Sequence, residues 1–401
     1  MNRLDRRTFI KQGLAAAVAV SFPSACAYSI GRLERKGASS KILVVGAGLA
    51  GLSAAYELTK AGHDVAVLEA RTRTGGRVYT VRTPFSEGQY AEGGAARIPA
   101  DHELTLSYAR HFGLALEEFY PPDFIHYRRG KRETIDWKAF DKLLRKYFDI
   151  ALGKDRRNVF KIKGGNDLLP AAFELRLRDK IIFDAPVLRI EQDASGVRAA
   201  FARGGLRETR AADYLVCSIP FTLLRKVEVS PQFSEAKRKV VEHLSYDVAS
   251  RVLIQTKKRF WAEQRLSGFG VTDAPLEIWQ PTMTQGGARG ILATYPRGTI
   301  SERLTALGEE ERVAQTVELL EGVFPGARAN FEAGISKCWV EDEWARGAWA
   351  HPSDEELKHA MRPEGRIYFA GEHTSQRPSW MQGALESGQR VAREVNDTAR
   401  V

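Results

Sequence analysis

Residues 41–70, KILVVGAGLAGLSAAYELTKAGHDVAVLEA, constrain the fold more than any other part of the chain. An apolar run, KILVVG, turns through GAGLAG into a helical pattern that Gly62 ends, and HDVAVLEA follows as a second run of strand type. Strand, glycine turn, helix and strand within about 30 residues is the size and order of a βαβ unit. GAGLAG fits GxGxxG, with Gly46, Gly48 and Gly51 in the three glycine places. Such a turn lets main-chain N–H groups, here around Leu49 and Ala50, approach a pyrophosphate at a helix N-terminus. Glu69 ends the second strand 18 residues after Gly51. A carboxylate there accepts hydrogen bonds from ribose hydroxyls and repels a 2′-phosphate, so the motif predicts a dinucleotide other than NADP.

Composition removes other classes. With 401 residues, 43% hydrophobic and 27% charged, the chain is neither disordered, collagenous nor a coiled coil as a whole, and it has room for two or three domains. Three cysteines cannot build a disulfide framework. Eight scattered histidines form neither HExxH nor a Cys/His cluster, so no metal site is expected. The net charge of +10 is spread without a dominant basic block, and no nucleic-acid partner is expected.

The first residues read as an address. Arg6 and Arg7 precede a short apolar run, Leu14 to Val20, and small residues lead to Ala25-Cys26-Ala27. The run is too short to span a membrane. Residues 1–27 therefore read as a twin-arginine signal peptide, with 28–38 as linker. This predicts recognition by the twin-arginine export machinery and delivery, already folded, to the periplasm or outside the cell. Membrane association through an uncleaved or Cys26-lipidated N-terminus stays open, although Pro23 fits a lipoprotein site poorly.

Further along, helices are expected after Asp101 up to Gly113, in WKAFDKLLRKYFDIAL (137–152), from NDLLPAAFELRL onward, over 309–324, and in the closing MQGALESGQRVAREV. The apolar stripe of 137–152 is expected to pack on its own domain rather than meet a membrane or partner. Strands are expected in PVLRIEQD, GVRAAFA and YLVCSI, separated by ASG and RGG, and in SRVLIQTKKRFW, GILATY and RIYFAG. The class is α/β with antiparallel insertions.

RTRTGGRV (71–78) adds a second phosphate-seeking cluster, Gly75-Gly76-Arg77, just beyond Glu69. With it the chain resembles the flavin-containing amine oxidase family, which holds monoamine, polyamine and L-amino acid oxidases. The resemblance runs from Lys41 almost to the C-terminus. Its anchors are GAGLAGLSAAYELTKAGHDVAVLEARTRTGGRV, SRVLIQTKKRFW and YFAGEHTSQRPSWMQGALESG. It implies FAD in a Rossmann-like domain of the glutathione reductase type, built from 39–95, 180–222 and 362–401. An interleaved substrate domain of mixed sheet plus helices would take 96–179 and 223–361. Cofactor contacts are implied at Glu69, Ala70, Arg71, Gly76, Arg77, Glu372 and Gly371, and at Val187 through its main chain. Gly94, Ala95, Ala96 and Arg97 would line the isoalloxazine, with Trp380, Met381, Gln382 and Ala384 passing beneath it. Ala348 stands where monoamine oxidases carry the flavin-bonding cysteine, so FAD is expected to be noncovalent.

The substrate residues follow from the same resemblance. Arg97-Ile98-Pro99 matches the segment whose arginine clamps the substrate carboxylate in L-amino acid oxidases. The competing reading pairs Arg97 with a protein carboxylate such as Glu92. Tyr295 resembles a tyrosine that donates to the same substrate group, or else simply ends a core strand. Trp380 and Trp349 match two aromatic walls, and Trp349 leans toward the rival reading, a primary-amine or polyamine oxidase. Trp339 and Trp344 are expected in the core, and EDE (341–343) as a solvated turn. The helical insertion between Asp101 and Asn166 is short, which suggests an open funnel admitting larger substrates. Arg251 lies ten residues before Trp261, where many members have a lysine that promotes oxygen reactivity. It joins Trp349 and Trp380 as a candidate catalytic residue. The expectation is oxidative deamination of a small-molecule L-amino acid to a 2-oxo acid and ammonia. Oxygen, giving hydrogen peroxide, or a quinone would be the acceptor; a homodimer is left open.

Overall fold

The computed structural model describes residues 33–35, 37–150, 152, 155–274 and 276–398. The twin-arginine segment and Cys26 lie outside the described residues.

Lys41–Val45 is a strand buried on both faces, which is why it reads as a continuous apolar run. It pairs in parallel with Asp64–Leu68 on one side and Tyr214–Cys217 on the other. Ile181–Ile182 and Ile367–Phe369 complete a five-stranded parallel sheet at its two edges. Strand periodicity divides the side chains between two cores. Ile42 and Val44 meet the helices Leu49–Lys60 and Met381–Thr398, whereas Leu43 and Val45 face a four-stranded sheet contributing Ile190 and Phe201. That sheet runs Leu206–Ala212, Val197–Arg203, Val187–Gln192, Glu228–Ser230. Leu206–Ala212 was not expected as a strand: all but its last residue are exposed, so it carries no apolar alternation, and the RGG turn folds it back onto Val197–Arg203.

A seven-stranded sheet forms the second half of the molecule, in the order 331–338, 250–256, 290–295, 277–279, 270–272, 124–128, 131–135. It is antiparallel except between Gly270–Thr272 and Phe124–Arg128. Of the expected strands, SRVLIQTKKRFW is extended only over Ser250–Thr256, with Phe260–Glu263 turning into a short helix, and it pairs with Gly290–Tyr295; the two stand second and third in that order. Val252, Ile254 and Ile278 face the helix Glu309–Val323. The alternate positions Leu253, Trp279 and Ala293 face the other way, and this period of two also sends Arg251, Glu277 and Tyr295 to that face.

Trp137–Phe148 closes over that face. Asp136 caps the helix by accepting from Ala139 N at 2.9 Å, and Asp149 ends it with φ 52°, earlier than the apolar pattern predicts. Its apolar stripe is spent inside the chain: Trp137, Phe140 and Leu144 are buried, and Phe140 stacks on Phe124 at 4.0 Å.

Candidate active site

A cavity of about 1530 Å³ runs from the glycine turn to the inner face of the seven-stranded sheet. At the turn, Leu49–Lys60 begins at Gly48 with no side-chain cap and no acidic residue in its first turn. A helix end without a cap leaves N–H donors and a positive dipole end to be satisfied by something else, and Leu49 and Ala50 put them at the cavity wall. A Cβ at Gly48 would meet nothing within 4 Å, so glycine here leaves open space in the wall. A pyrophosphate fits this chemistry. The Glu69 carboxylate is aimed by two main-chain bonds, from Ala47 N at 2.7 Å and Arg71 N at 2.9 Å. Burial pushes its pKa up, against the pull of those bonds. Each oxygen keeps a lone pair for a ribose hydroxyl.

Ala70, Arg71, Gly76 and Val187 line the same end. Arg71 is held by Asp342, which is buried and also takes Lys337 Nζ at 2.5 Å, while Glu341 accepts from Arg312. The solvated turn expected at 341–343 is therefore an ion-pairing corner beside the cavity, with only Glu343 facing its open space. Arg77 Nη1 donates to Ala348 O at 2.9 Å and to Glu372 Oε1 at 2.8 Å, and Glu372 Oε2 accepts from Ser379 N. Gly94, Ala95, Ala96, Gly371, Trp380, Met381 and Ala384 continue the wall.

Two expected cofactor contacts fall elsewhere. A Cβ at Gly51 would stand 2.0 Å from Gly46 O, so this glycine serves close packing of helix against strand, and it does not line the cavity. Gln382 is turned away: its Oε1 accepts from Thr105 N and Oγ1, and its Nε2 donates to Glu386. Ala348 lines the cavity, while the described cysteines, Cys217 and Cys338, are buried off it. No described cysteine is placed to tether a flavin.

At the far end the period of two has assembled an arginine cluster. Arg97, Arg251, Tyr295 and Arg297 line the cavity. Arg97 does not pair with Glu92, which instead accepts from Thr80 Oγ1 and Asn166 N and is pushed up to about 8 by burial. Its Nη1 donates to Glu277 Oε2 at 3.0 Å and to Tyr120 Oη at 2.9 Å. Glu277 lies directly across from Tyr295 in the sheet and has no exposed surface. It also takes Arg297 Nη2 and Trp279 Nε1. Burial alone would raise its pKa, but Arg97 and Arg297 hold it below the ordinary carboxylate value.

Arg251 packs its guanidinium carbon 3.1 Å from the Tyr295 ring centroid and 4.0 Å from that of Trp279. It is 4% exposed, and its Nε and Nη1 have no hydrogen-bond partner among the described residues. Burial lowers its pKa to about 9, so it remains charged at neutral pH. Arg297 lies against Tyr295 and against Phe148 at the end of the closing helix, and its Nε is likewise buried without a partner among the described residues.

Trp349 and Trp380 both line the cavity. Trp349 meets Tyr295 edge-on at 6.2 Å, and Trp380 meets His102 edge-on at 4.8 Å. Trp339 is buried and donates to Gly93 O, but with half-buried Trp344 it also reaches the cavity, so neither belongs to the core alone. Glu277 and Arg297 were not singled out in the sequence. Their signals were present: one acid within the apolar EIW, and an arginine two residues past Tyr295.

The family described as flavin containing amine oxidoreductase matches residues 49–149 and 133–396. The chain is 31% identical to the YobN protein of Bacillus subtilis (strain 168), over 88% of this chain and 94% of that protein. It is 27% identical to the flavin-dependent L-tryptophan oxidase RebO of Lentzea aerocolonigenes, over 88% and 98%. Its fold is similar to that of cyclohexylamine oxidase from Brevibacterium oxydans IH-35A, with a TM-score of 0.77 at 19% identity, covering 90% of this chain and 99% of that one.

Proposed function

The chain belongs to the flavin-containing amine oxidoreductase family, and from that premise we propose that it oxidises the Cα–N bond of an L-amino acid. The glycine turn and the cavity-lining residues of the 371–384 segment would hold FAD, which would supply the two-electron acceptor.

The observation that carries the reading is Arg251, a charged guanidinium that lines the cavity and forms no ion pair among the described residues. Leaving such a group without an anion costs several kcal/mol. A substrate carboxylate at the cavity wall would supply that anion, and a plain amine would not. The clamp expected at Arg97 thus moves to Arg251. Arg97, already paired with Glu277 and Tyr120, becomes a positioning residue, and the Tyr295 hydroxyl assists at the carboxylate. Anchoring the carboxylate fixes which face of Cα meets the flavin, which is catalysis by orientation. The surrounding guanidiniums disfavour an ammonium and so favour the neutral amine that oxidation requires.

The Cα–H and one N–H hydrogen leave with two electrons. The imine then adds water and releases ammonia, giving the 2-oxo acid, and the two electrons and two protons pass to oxygen as hydrogen peroxide. RebO, an L-tryptophan oxidase, supports the amino-acid reading; Trp349 and Trp380 at the cavity wall favour an amine as the second reading. Anaerobic mixing of the FAD-loaded enzyme with the twenty L-amino acids and their matched amines tests it. Loss of flavin absorbance with one or more amino acids and not with the corresponding amines is the expected result; the reverse overturns it. We propose further that the twin arginine, Arg6-Arg7, exports the protein folded.

A further inference from the structure

The charge at the sheet end of the cavity does not balance. Three guanidiniums, Arg97, Arg251 and Arg297, meet there, and the carboxylate in contact with them is Glu277 alone among the described residues. Arginine keeps its charge at neutral pH, so two positive charges stay uncompensated in a buried place. Arg97 and Arg297 each take one oxygen of Glu277. Arg251 forms no ion pair among the described residues, Arg297 forms only that with Glu277, and both line the cavity. Both guanidiniums lie against the Tyr295 ring, at 3.1 and 4.3 Å, close enough for the two ends of one short molecule.

Resting on the amino-acid reading, one α-carboxylate on Arg251 cancels one of these charges. The other remains beside Phe148 and Tyr295. An apolar substrate side chain placed there would shut water away from an unbalanced cation, whereas a second carboxylate would balance it. We propose that the substrate is a dicarboxylic L-amino acid, its α-carboxylate held by Arg251 and its side-chain carboxylate by Arg297. Arg297 is then the residue that sets side-chain preference.

The test compares glutamate with glutamine and aspartate with asparagine, pairs alike in shape and different in charge, by the rate of anaerobic flavin reduction. The acid should exceed its amide in kcat/KM by at least about 30-fold, and Arg297→Gln should bring that ratio down to within about threefold of unity. A second measurement needs neither turnover nor a variant. Glutarate should perturb the flavin spectrum of the oxidised enzyme at concentrations about 30-fold below those butyrate requires. Equal rates for acid and amide, or equal binding of glutarate and butyrate, would overturn the proposal while leaving amino-acid oxidation standing. Reduction by amines alone would overturn the amino-acid reading itself, and this proposal with it.

Discussion

Glu277 has no exposed surface and faces Arg97 on one oxygen and Arg297 on the other, so water cannot replace it. Removing one member of a buried ionic group leaves its partners uncompensated, at a cost of about 3–5 kcal/mol. Glu277→Gln should lower the stability of the FAD-loaded protein by about that amount, read from its urea midpoint, and a variant as stable as the wild type would show that the cluster is balanced in some other way. Arg97, Tyr295 and Arg251 were all marked in the sequence by a family pattern, Arg251 for reaction with oxygen rather than for a substrate carboxylate. What the sequence withheld was the pairing. A strand places alternate residues on one face, but which strands become neighbours is decided by long-range contacts, and the partner of Arg97 lies 180 residues away.

At the scale of elements, Gly51 joins the first helix to the strand before it. A methyl group there would stand 2.0 Å from Gly46 O and push the helix start away from the cavity. Overpacking of this kind costs about 1–3 kcal/mol. Gly51→Ala should therefore bind FAD roughly 5- to 150-fold more weakly, seen as a lower ratio of flavin to protein absorbance after purification; full flavin occupancy would contradict this role. Over the cavity, Asp136→Ala should cost the closing helix about 1 kcal/mol, with hydrogen exchange rising in 137–148 and little elsewhere. The βαβ unit and this helix were legible because burial writes a period into the sequence. Leu206–Ala212, exposed almost throughout, has no such period, and Glu277–Trp279 and Gly270–Thr272 are too short to show one.

For the whole molecule, one cavity reaches from the glycine turn of the parallel sheet to the mostly antiparallel seven-stranded sheet, so a cofactor bound at the first and a substrate bound at the second would meet inside it. The proposed export rests on the leader. Replacing Arg6 and Arg7 together by lysine should leave active, FAD-loaded protein in the cytoplasm, and unchanged export of that double variant would remove the twin-arginine reading. The chemistry is most directly tested at Arg251. Rate constants for anaerobic flavin reduction should be measured for wild type and Arg251→Gln, each with the preferred amino acid and with the amine formed by removing its carboxylate. Losing a charge-assisted contact to a buried carboxylate should cost about 2–5 kcal/mol, so the variant should lose about 30-fold or more in kcat/KM with the amino acid and nothing comparable with the amine. Equal losses on both substrates, or none on either, would contradict the account.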